Sequence, residues 1–293
     1  MTRGISILLP VYNNVCSQLV KNLHEQAESI LGLEYEIVIV DDGSTDEQCT
    51  KENATLADME NCRYIVLKEN MGRARVRNYL ASQARYPWMI FLDSDVLLPD
   101  MFLSKYLDRM DESVGVICGG TDIIEDVSLA KHNLRCKYES SALKKHSAKQ
   151  RNIHPYHSFA TANFAINKKV MEHCHFDERF VEYGYEDVLF GKALAEHSVP
   201  IEHIDNPVIL HTFDNNDVYL KKVETAMRTL HTFRDDLCGY SPILAKAQNS
   251  VCVCLMRLWH TVFGRAERKN LIGTCPYLPF LNLYKFGYYL NLA

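Results

Sequence analysis

The chain has 293 residues, 47% of them hydrophobic and 24% charged, with a formal net charge of −5 at pH 7. That balance excludes a disordered chain and argues against a general nucleic-acid coat, which would carry net positive charge. The length suits one large α/β domain with an appendage, or two small domains.

In chain order, Ile5-Ser6-Ile7-Leu8-Leu9, ended by Pro10, predicts a buried strand rather than the apolar core of a secretion signal. Residues 15 to 31 carry Val15, Leu19, Leu23, Ala27, Ile30 and Leu31 at helical spacing. Glu36-Ile37-Val38-Ile39-Val40 predicts a second buried strand that runs into Asp41-Asp42-Gly43-Ser44-Thr45-Asp46. That stretch favours a turn, with Ser44 or Thr45 as the cap of a following helix. Tyr64-Ile65-Val66-Leu67 predicts a third strand, residues 72 to 85 a helix, and Trp88-Met89-Ile90-Phe91-Leu92 a fourth strand that ends at Asp93-Ser94-Asp95. Such alternation implies a parallel sheet with right-handed crossovers, and ligands bind at the carboxyl ends of its strands. Tyr12-Asn13-Asn14, Asp41-Asp42 and Asp93-Ser94-Asp95 all fall at those ends.

The second half is less regular. Strands are expected near 114–120, 161–166 and 207–211, and helices over 186–197 and about 215–237. From Pro242 onward the composition changes, with an apolar segment at 251–263 followed by a basic one at 265–269. No run approaches the roughly 18 to 20 apolar residues of a spanning helix. The ten cysteines contain no C-x-x-C and are expected to be reduced, mostly buried thiols rather than zinc ligands.

Several residues invite chemistry. Asp93 and Asp95, one residue apart after a buried strand, can hold a hard divalent cation such as Mg²⁺ or Mn²⁺; they also fit a polar turn with a helix cap. Asp41 and Asp42 can accept the N–H of a base, or simply feed a turn. Arg73, Arg75 and Arg77 stand near a helix start, and Arg73 and Arg77 share a face by their spacing. Guanidinium groups suit diphosphates, and equally a solvated helix face. Glu186-Asp187 opens an apolar helix, where acids serve the helix dipole or act as a general base.

Together these segments resemble the family 2 glycosyltransferases. The resemblance rests on Ile7-Leu8-Leu9-Pro10-Val11-Tyr12-Asn13, Val40-Asp41-Asp42-Gly43-Ser44-Thr45-Asp46, Asn70-Met71-Gly72 with Arg77-Asn78, Phe91-Leu92-Asp93-Ser94-Asp95, and Gly184-Tyr185-Glu186-Asp187, which occur in that order. It covers roughly residues 4 to 212 and implies the α/β GT-A fold, a mostly parallel central sheet flanked by helices. On that reading residues 1–212 form the catalytic domain, with a nucleotide-binding half at 1–97 and an acceptor-binding half at 98–212, and 213–293 form a helical extension.

The resemblance also implies roles. Pro10 and Tyr12 flank the nucleotide, Asp41 reads the base, and Asp42 supports the turn. Arg77 lies near the base or diphosphate, with Arg73 beside it. Asp93 faces the ribose and metal region, and Asp95 binds Mn²⁺ or Mg²⁺. Asp187 is the base and Glu186 an acceptor contact. His211, ending Val208-Ile209-Leu210, stands where the wider group supplies a metal ligand, though one histidine among twelve is more often structural. The implied reaction is inverting transfer of a sugar from a nucleoside diphosphate donor, a UDP-sugar first with GDP and dTDP open, to a glycan or lipid-linked glycan in polysaccharide biosynthesis. The alternative is a GT-A-like nucleotide-sugar-binding scaffold without turnover. No nucleic-acid partner is expected.

The basic run from Lys131 to Arg151, with Lys144 and Lys145, reads either as a contact for an anionic acceptor or as a solvated segment. The tail is expected to pack on the core or on a second subunit, or to lie on a membrane surface. The expected location is cytoplasmic, with peripheral contact at the inner face of the membrane as the variant.

Overall fold

The computed structural model describes residues 3–124, 126–143 and 147–292. Lys144 and Lys145 of the expected basic run lie outside the described residues. The fold divides into two compact units. The first takes its described residues from 1–122, 146–181 and 190–212, and the second from 123–145, 182–189 and 213–293.

The first unit is built on ten short strands: β1 (Arg3–Val11), β2 (Leu33–Asp41), β3 (Cys62–Val66), β4 (Trp88–Leu92), β5 (Val96–Leu97), β6 (Val116–Cys118), β7 (Thr121–Ile123), β8 (Asn163–Asn167), β9 (Ile201–His203) and β10 (Val208–Leu210). Seven form one sheet in the order β3-β2-β1-β4-β8-β6-β9, and β5-β10-β7 form a smaller one. β1, β2, β3 and β4 run parallel, as the strand–helix alternation predicts. β8 then enters antiparallel to both β4 and β6. The connections carry α1 (Ser17–Glu28), α2 (Glu47–Ala54), α3 (Arg73–Gln83), α4 (Phe102–Leu107) and, further on, α7 (Ala148–Arg151) and α8 (Lys168–Met171).

β1 is covered on both faces, so Ile5, Ile7, Leu8 and Leu9 are all buried, which is why the segment reads as one apolar run rather than an alternation. One polar position interrupts it. Ser6 Oγ donates to Glu36 Oε1 at 2.7 Å, and Arg63 Nη2 donates to Glu36 Oε2 at 2.8 Å. Arg85 N–H donates to Oε1 at 2.6 Å. Glu36 is thus a buried carboxylate held by a hydroxyl, a guanidinium and a backbone amide near the amino ends of the strands.

The helix expected after Asp41 starts one residue later than Thr45, and two later than Ser44, would place it. Asp46 is its cap, with Oδ1 accepting from Gln48 N and Cys49 N. The reason is competition: Asn13 Oδ1 takes the Thr45 and Asp46 amides, and Ser44 Oγ accepts from Asn13 N.

The second unit is helical. It contains α5 (Val127–His132), α6 (Leu134–Leu143), α10 (Asn216–Thr232), α11 (Pro242–Ala247), α12 (Ser250–Leu271) and α13 (Leu278–Leu290). Its core gathers Leu134, Leu220, Val223, Leu271, Leu281 and Tyr284. Asn216 stitches it: Oδ1 accepts from Leu134 N, and Nδ2 donates to the carbonyls of His132 and Gly273. α9 (Glu186–Glu196) is divided, its residues up to Leu189 in the second unit and the remainder in the first. α12 is longer than the expected 251–263 segment, because the basic residues after it continue the helix.

Within the basic run, Arg151 is not a solvated cation. Its guanidinium donates to the carbonyls of Gly119 and Ile204 and, through Nε, to His203 Nδ1 at 3.1 Å. Arg135 pairs with Asp214, and Lys137 donates to the Pro276 carbonyl. Lys131 and Lys149 are exposed.

Two stability predictions follow from buried charge. Glu36→Ala leaves Arg63 without its carboxylate and should cost roughly 3–5 kcal/mol in urea denaturation. His203 is buried, accepts from Arg151 at Nδ1 and donates from Nε2 to the Pro155 carbonyl, and burial pushes its pKa down. The unfolded chain then binds the proton first, so stability present above about pH 6.5 should fall as the pH drops below it. His203→Gln should flatten that part of the pH profile; an unchanged slope would assign it elsewhere.

Candidate active site

The parallel strands bring the three polar clusters to one edge. Val11 pairs with Asp41 across β1 and β2, and the β1–β4 register, continued two residues, sets Pro10 beside Asp93. Tyr12 stands exposed just past β1.

Asp41 and Asp42 part company. Asp41 is fully buried: Oδ1 accepts from Ser44 N at 2.7 Å and Oδ2 from the Tyr64 hydroxyl at 2.6 Å. Its first job is to hold the turn to β3, and both oxygens are already engaged. Asp42 reaches the other way, with Oδ1 accepting from Met71 N at 2.7 Å and Oδ2 from Gly72 N at 3.1 Å. Burial pushes the Asp42 carboxyl up, and those two amides and no cation oppose the shift. Gly43 must be glycine here. Its φ is +70°, and a Cβ would lie 2.5 Å from the Glu69 carbonyl carbon.

The three arginines at two-residue spacing also separate. Arg73 and Arg75 are exposed, and Arg75 makes a 3.8 Å surface pair with Glu178. Arg77 is buried under Phe176, with its guanidinium carbon 5.8 Å from the ring centroid, and Nη2 donates to Asp93 Oδ1 at 3.0 Å. Arg77, expected near the base or diphosphate, pairs with Asp93. Asn78, the next residue, clamps the chain that carries Phe176: Nδ2 donates to the Phe176 carbonyl and Oδ1 accepts from its amide. An open cleft of about 610 Å³ lies beside α3, lined by Met71, Arg75, Asn78, Tyr79, His175, Phe176 and Glu178. None of the residues assigned to the donor lines it.

Asp95 immediately precedes β5 and His211 immediately follows β10. Leu210 pairs with Val96 and Ile209 with Leu97 in antiparallel register. His211 Nδ1 is buried and has no hydrogen-bond partner among the described residues. A buried imidazole nitrogen without a partner is costly unless something else binds it, and imidazole with carboxylate suits Mn²⁺. Among the described residues no group of three or more His, Cys, Asp or Glu side chains is placed to hold an ion. A cation held by Asp95 and His211 would need its remaining ligands from outside these two side chains.

Three asparagines that sequence reasoning did not assign hold this edge in shape. Asn14 Nδ2 donates to the Ser94 carbonyl at 2.9 Å, inside the D-x-D turn. Asn53, buried on α2, donates to the Asn14 carbonyl and accepts from Cys16 N. Asn163, paired with Leu92, accepts from the Tyr106 hydroxyl and donates to the carbonyls of Gly120 and Asn206. Asn14 had a signal in the Tyr-Asn-Asn cluster, and Asn163 in the segment Thr161 to Ile166, which resembles the small-residue strand lining the family's active site; Asn53 carried no such signal.

Glu186 and Asp187 belong to the second unit. Gly184 and Tyr185 both take positive φ, +101° and +69°, and so turn the chain into α9. A Cβ on Gly184 would sit 2.7 Å from Ala226 Cβ, and Thr229 donates to the Tyr183 carbonyl, so α10 fixes the turn. Glu186 is buried, while Asp187 is part-exposed and accepts from Val188 N at 2.8 Å.

Comparison with known proteins follows the same lines. A teichoic acid poly(glycerol phosphate) polymerase of Staphylococcus epidermidis is 28% identical over 114 residues, 39% of this chain and 16% of that protein. A dolichyl-phosphate beta-glucosyltransferase of Dictyostelium discoideum is 26% identical over 137 residues, 43% of this chain and 42% of the relative. The chain thus covers less than half the length of these curated relatives. Among solved structures, residues 1–349 of S. aureus TarS in complex with UDP-GlcNAc superpose with a TM-score of 0.55 at 17% identity, covering 99% of this chain and 90% of that one. The mannosyltransferase PcManGT of Pyrobaculum calidifontis, in complex with GDP-Man and Mn²⁺, gives a TM-score of 0.54 at 14% identity, covering 98% of this chain and 84% of the other. These structures share the GT-A fold, the mixed α/β architecture expected from the sequence. The model of glycosyl transferase family 2 matches residues 6–175, more than half of the chain, and the chain belongs to that family.

Proposed function

We propose that the chain is an inverting transferase that moves a sugar from a nucleoside diphosphate donor, a UDP-sugar first, to a hydroxyl of a glycan or lipid-linked glycan in polysaccharide assembly. The observation that carries this reading is the buried, unpartnered imidazole nitrogen of His211, which follows β10 where β10 pairs with β5, the strand that Asp95 precedes. The UDP-GlcNAc and GDP-Man complexes of the two structural neighbours support a nucleotide-sugar donor.

The first unit handles the donor. Pro10 and the exposed Tyr12 border the nucleotide. Asp41 is the acceptor for the base N–H, which it meets once the Ser44 amide yields its place on Oδ1. Asp42 keeps the start of α3 in position through the Met71 and Gly72 amides. Arg73, exposed at the first turn of α3, faces the diphosphate charge. Arg77 orients Asp93 toward the ribose and the metal. Asp95 and His211 would hold Mn²⁺ or Mg²⁺, which would offset the negative charge growing on the leaving nucleoside diphosphate.

Asp187 is assigned as the base on the motif it occupies. It removes the proton from the acceptor hydroxyl as that oxygen attacks the anomeric carbon, and Glu186 contacts the acceptor. Displacement is direct, so no residue needs to become a covalent nucleophile. Holding donor and acceptor in line supplies much of the remaining rate.

Two outcomes test the reading. In a thermal-shift screen of UDP, GDP and dTDP sugars, one nucleotide should raise the melting temperature only when Mn²⁺ is present. Asp95→Ala and His211→Ala should each remove that metal-dependent increment while the protein stays folded. In transfer assays, Asp187→Asn should keep donor binding and lose about 10²–10⁴-fold in kcat. A normal rate in Asp187→Asn would move the base elsewhere.

A further inference from the structure

α12 is apolar on two opposite faces. One is packed, with Gly264, Glu267 and Leu271 buried. The other meets solvent: Leu255, Leu258, Trp259, Val262 and Phe263 are each 39–65% exposed. At 3.6 residues per turn, Leu255, Leu258 and Val262 form one row, and Arg265 and Lys269, both exposed, continue it at the same spacing. Trp259 and Phe263 form the row beside it, with ring centroids 4.4 Å apart. The indole Nε1 donates to Glu267 Oε1 at 2.7 Å, so the polar atom is satisfied while the ring stays at the surface.

Charge decides what fits this face. Of the cations near the end of α12, Arg268 is paired with Asp217 and Glu224 of α10, while Arg265 and Lys269 are exposed on the apolar row, and the one acid of α12, Glu267, is buried. A second copy pairing through the same row would meet Arg265 and Lys269 with that row's apolar or cationic side chains, none of which is a carboxylate. An anionic surface would be matched at once in its charge and in its need to cover apolar side chains. No described helix is long and apolar enough to cross a membrane.

We infer that the exposed face of α12 docks on an anionic phospholipid membrane, with the Leu255–Leu258–Val262 row and the Trp259 and Phe263 rings in the interfacial layer and Arg265 and Lys269 on the lipid phosphates. The inference is independent of the transfer reaction.

The test is co-sedimentation of the full chain with vesicles of phosphatidylcholine, with and without phosphatidylglycerol. Binding should need phosphatidylglycerol and weaken as salt screens it. Trp emission should shift blue on binding, and Trp259→Phe should lose that shift. Leu258→Asp with Val262→Asp should abolish binding, and Arg265→Glu with Lys269→Glu should weaken it at least about 25-fold. All these side chains are exposed, and unchanged melting temperatures would confirm folded variants. The inference is overturned if the chain ignores phosphatidylglycerol vesicles, or if both double variants bind as the wild type does. It is equally overturned if light scattering finds a dimer that Leu258→Asp with Val262→Asp dissolves while vesicles go unbound.

Discussion

Arg77 carries a full positive charge into a place where 2% of its side chain meets water, and it can stay there because Asp93 Oδ1 lies 3.0 Å away. An unpaired guanidinium at that depth would be prohibitively costly. The pair therefore ties α3 to the end of β4 and fixes where the D-x-D turn begins. Phe176 lies over the guanidinium, and Asn78 holds Phe176 by its backbone, so the segment after β8 is bound to the same pair. A residue whose type suggests phosphate recognition here pairs with a carboxylate of its own chain.

The same economy runs along the sheet edge. Where buried parallel strands end, their last polar groups still need partners. Asn13, Asn14, Asn53 and Asp42 supply them, joining the β1–α1 loop, the start of α2, the start of α3 and the D-x-D turn. Backbone satisfaction and preorganisation of the site are one network, which is why several polar residues near the candidate metal ligands are not themselves ligands.

The amino ends of the strands carry a different polar device. Glu36 sits among Ser6, Arg63 and Arg85, away from the site edge, and belongs to stability. In the second unit the helices close over their own core and leave α12 with a solvent-facing apolar row beside cations. That unit also holds the turn that presents Glu186 and Asp187, clamped by α10 through Gly184 and Thr229.

Much of this was legible in the chain before folding. The parallel order of the first four strands followed from their apolar runs and intervening helical periods, because burial on both faces and crossover handedness leave few alternatives. Family membership followed from five short motifs in order. The roles of individual residues within those motifs did not follow. Three arginines with one spacing diverged, because only Arg77 points under Phe176, and two adjacent aspartates diverged, because Tyr64 claims one and the Gly72 turn the other. The pairing of β5 with β10 joins segments more than a hundred positions apart. Sequence patterning determines which segments are strands and helices, since each depends on its own period. Which polar side chain spends its charge on which partner depends on distances that exist only after the chain has packed.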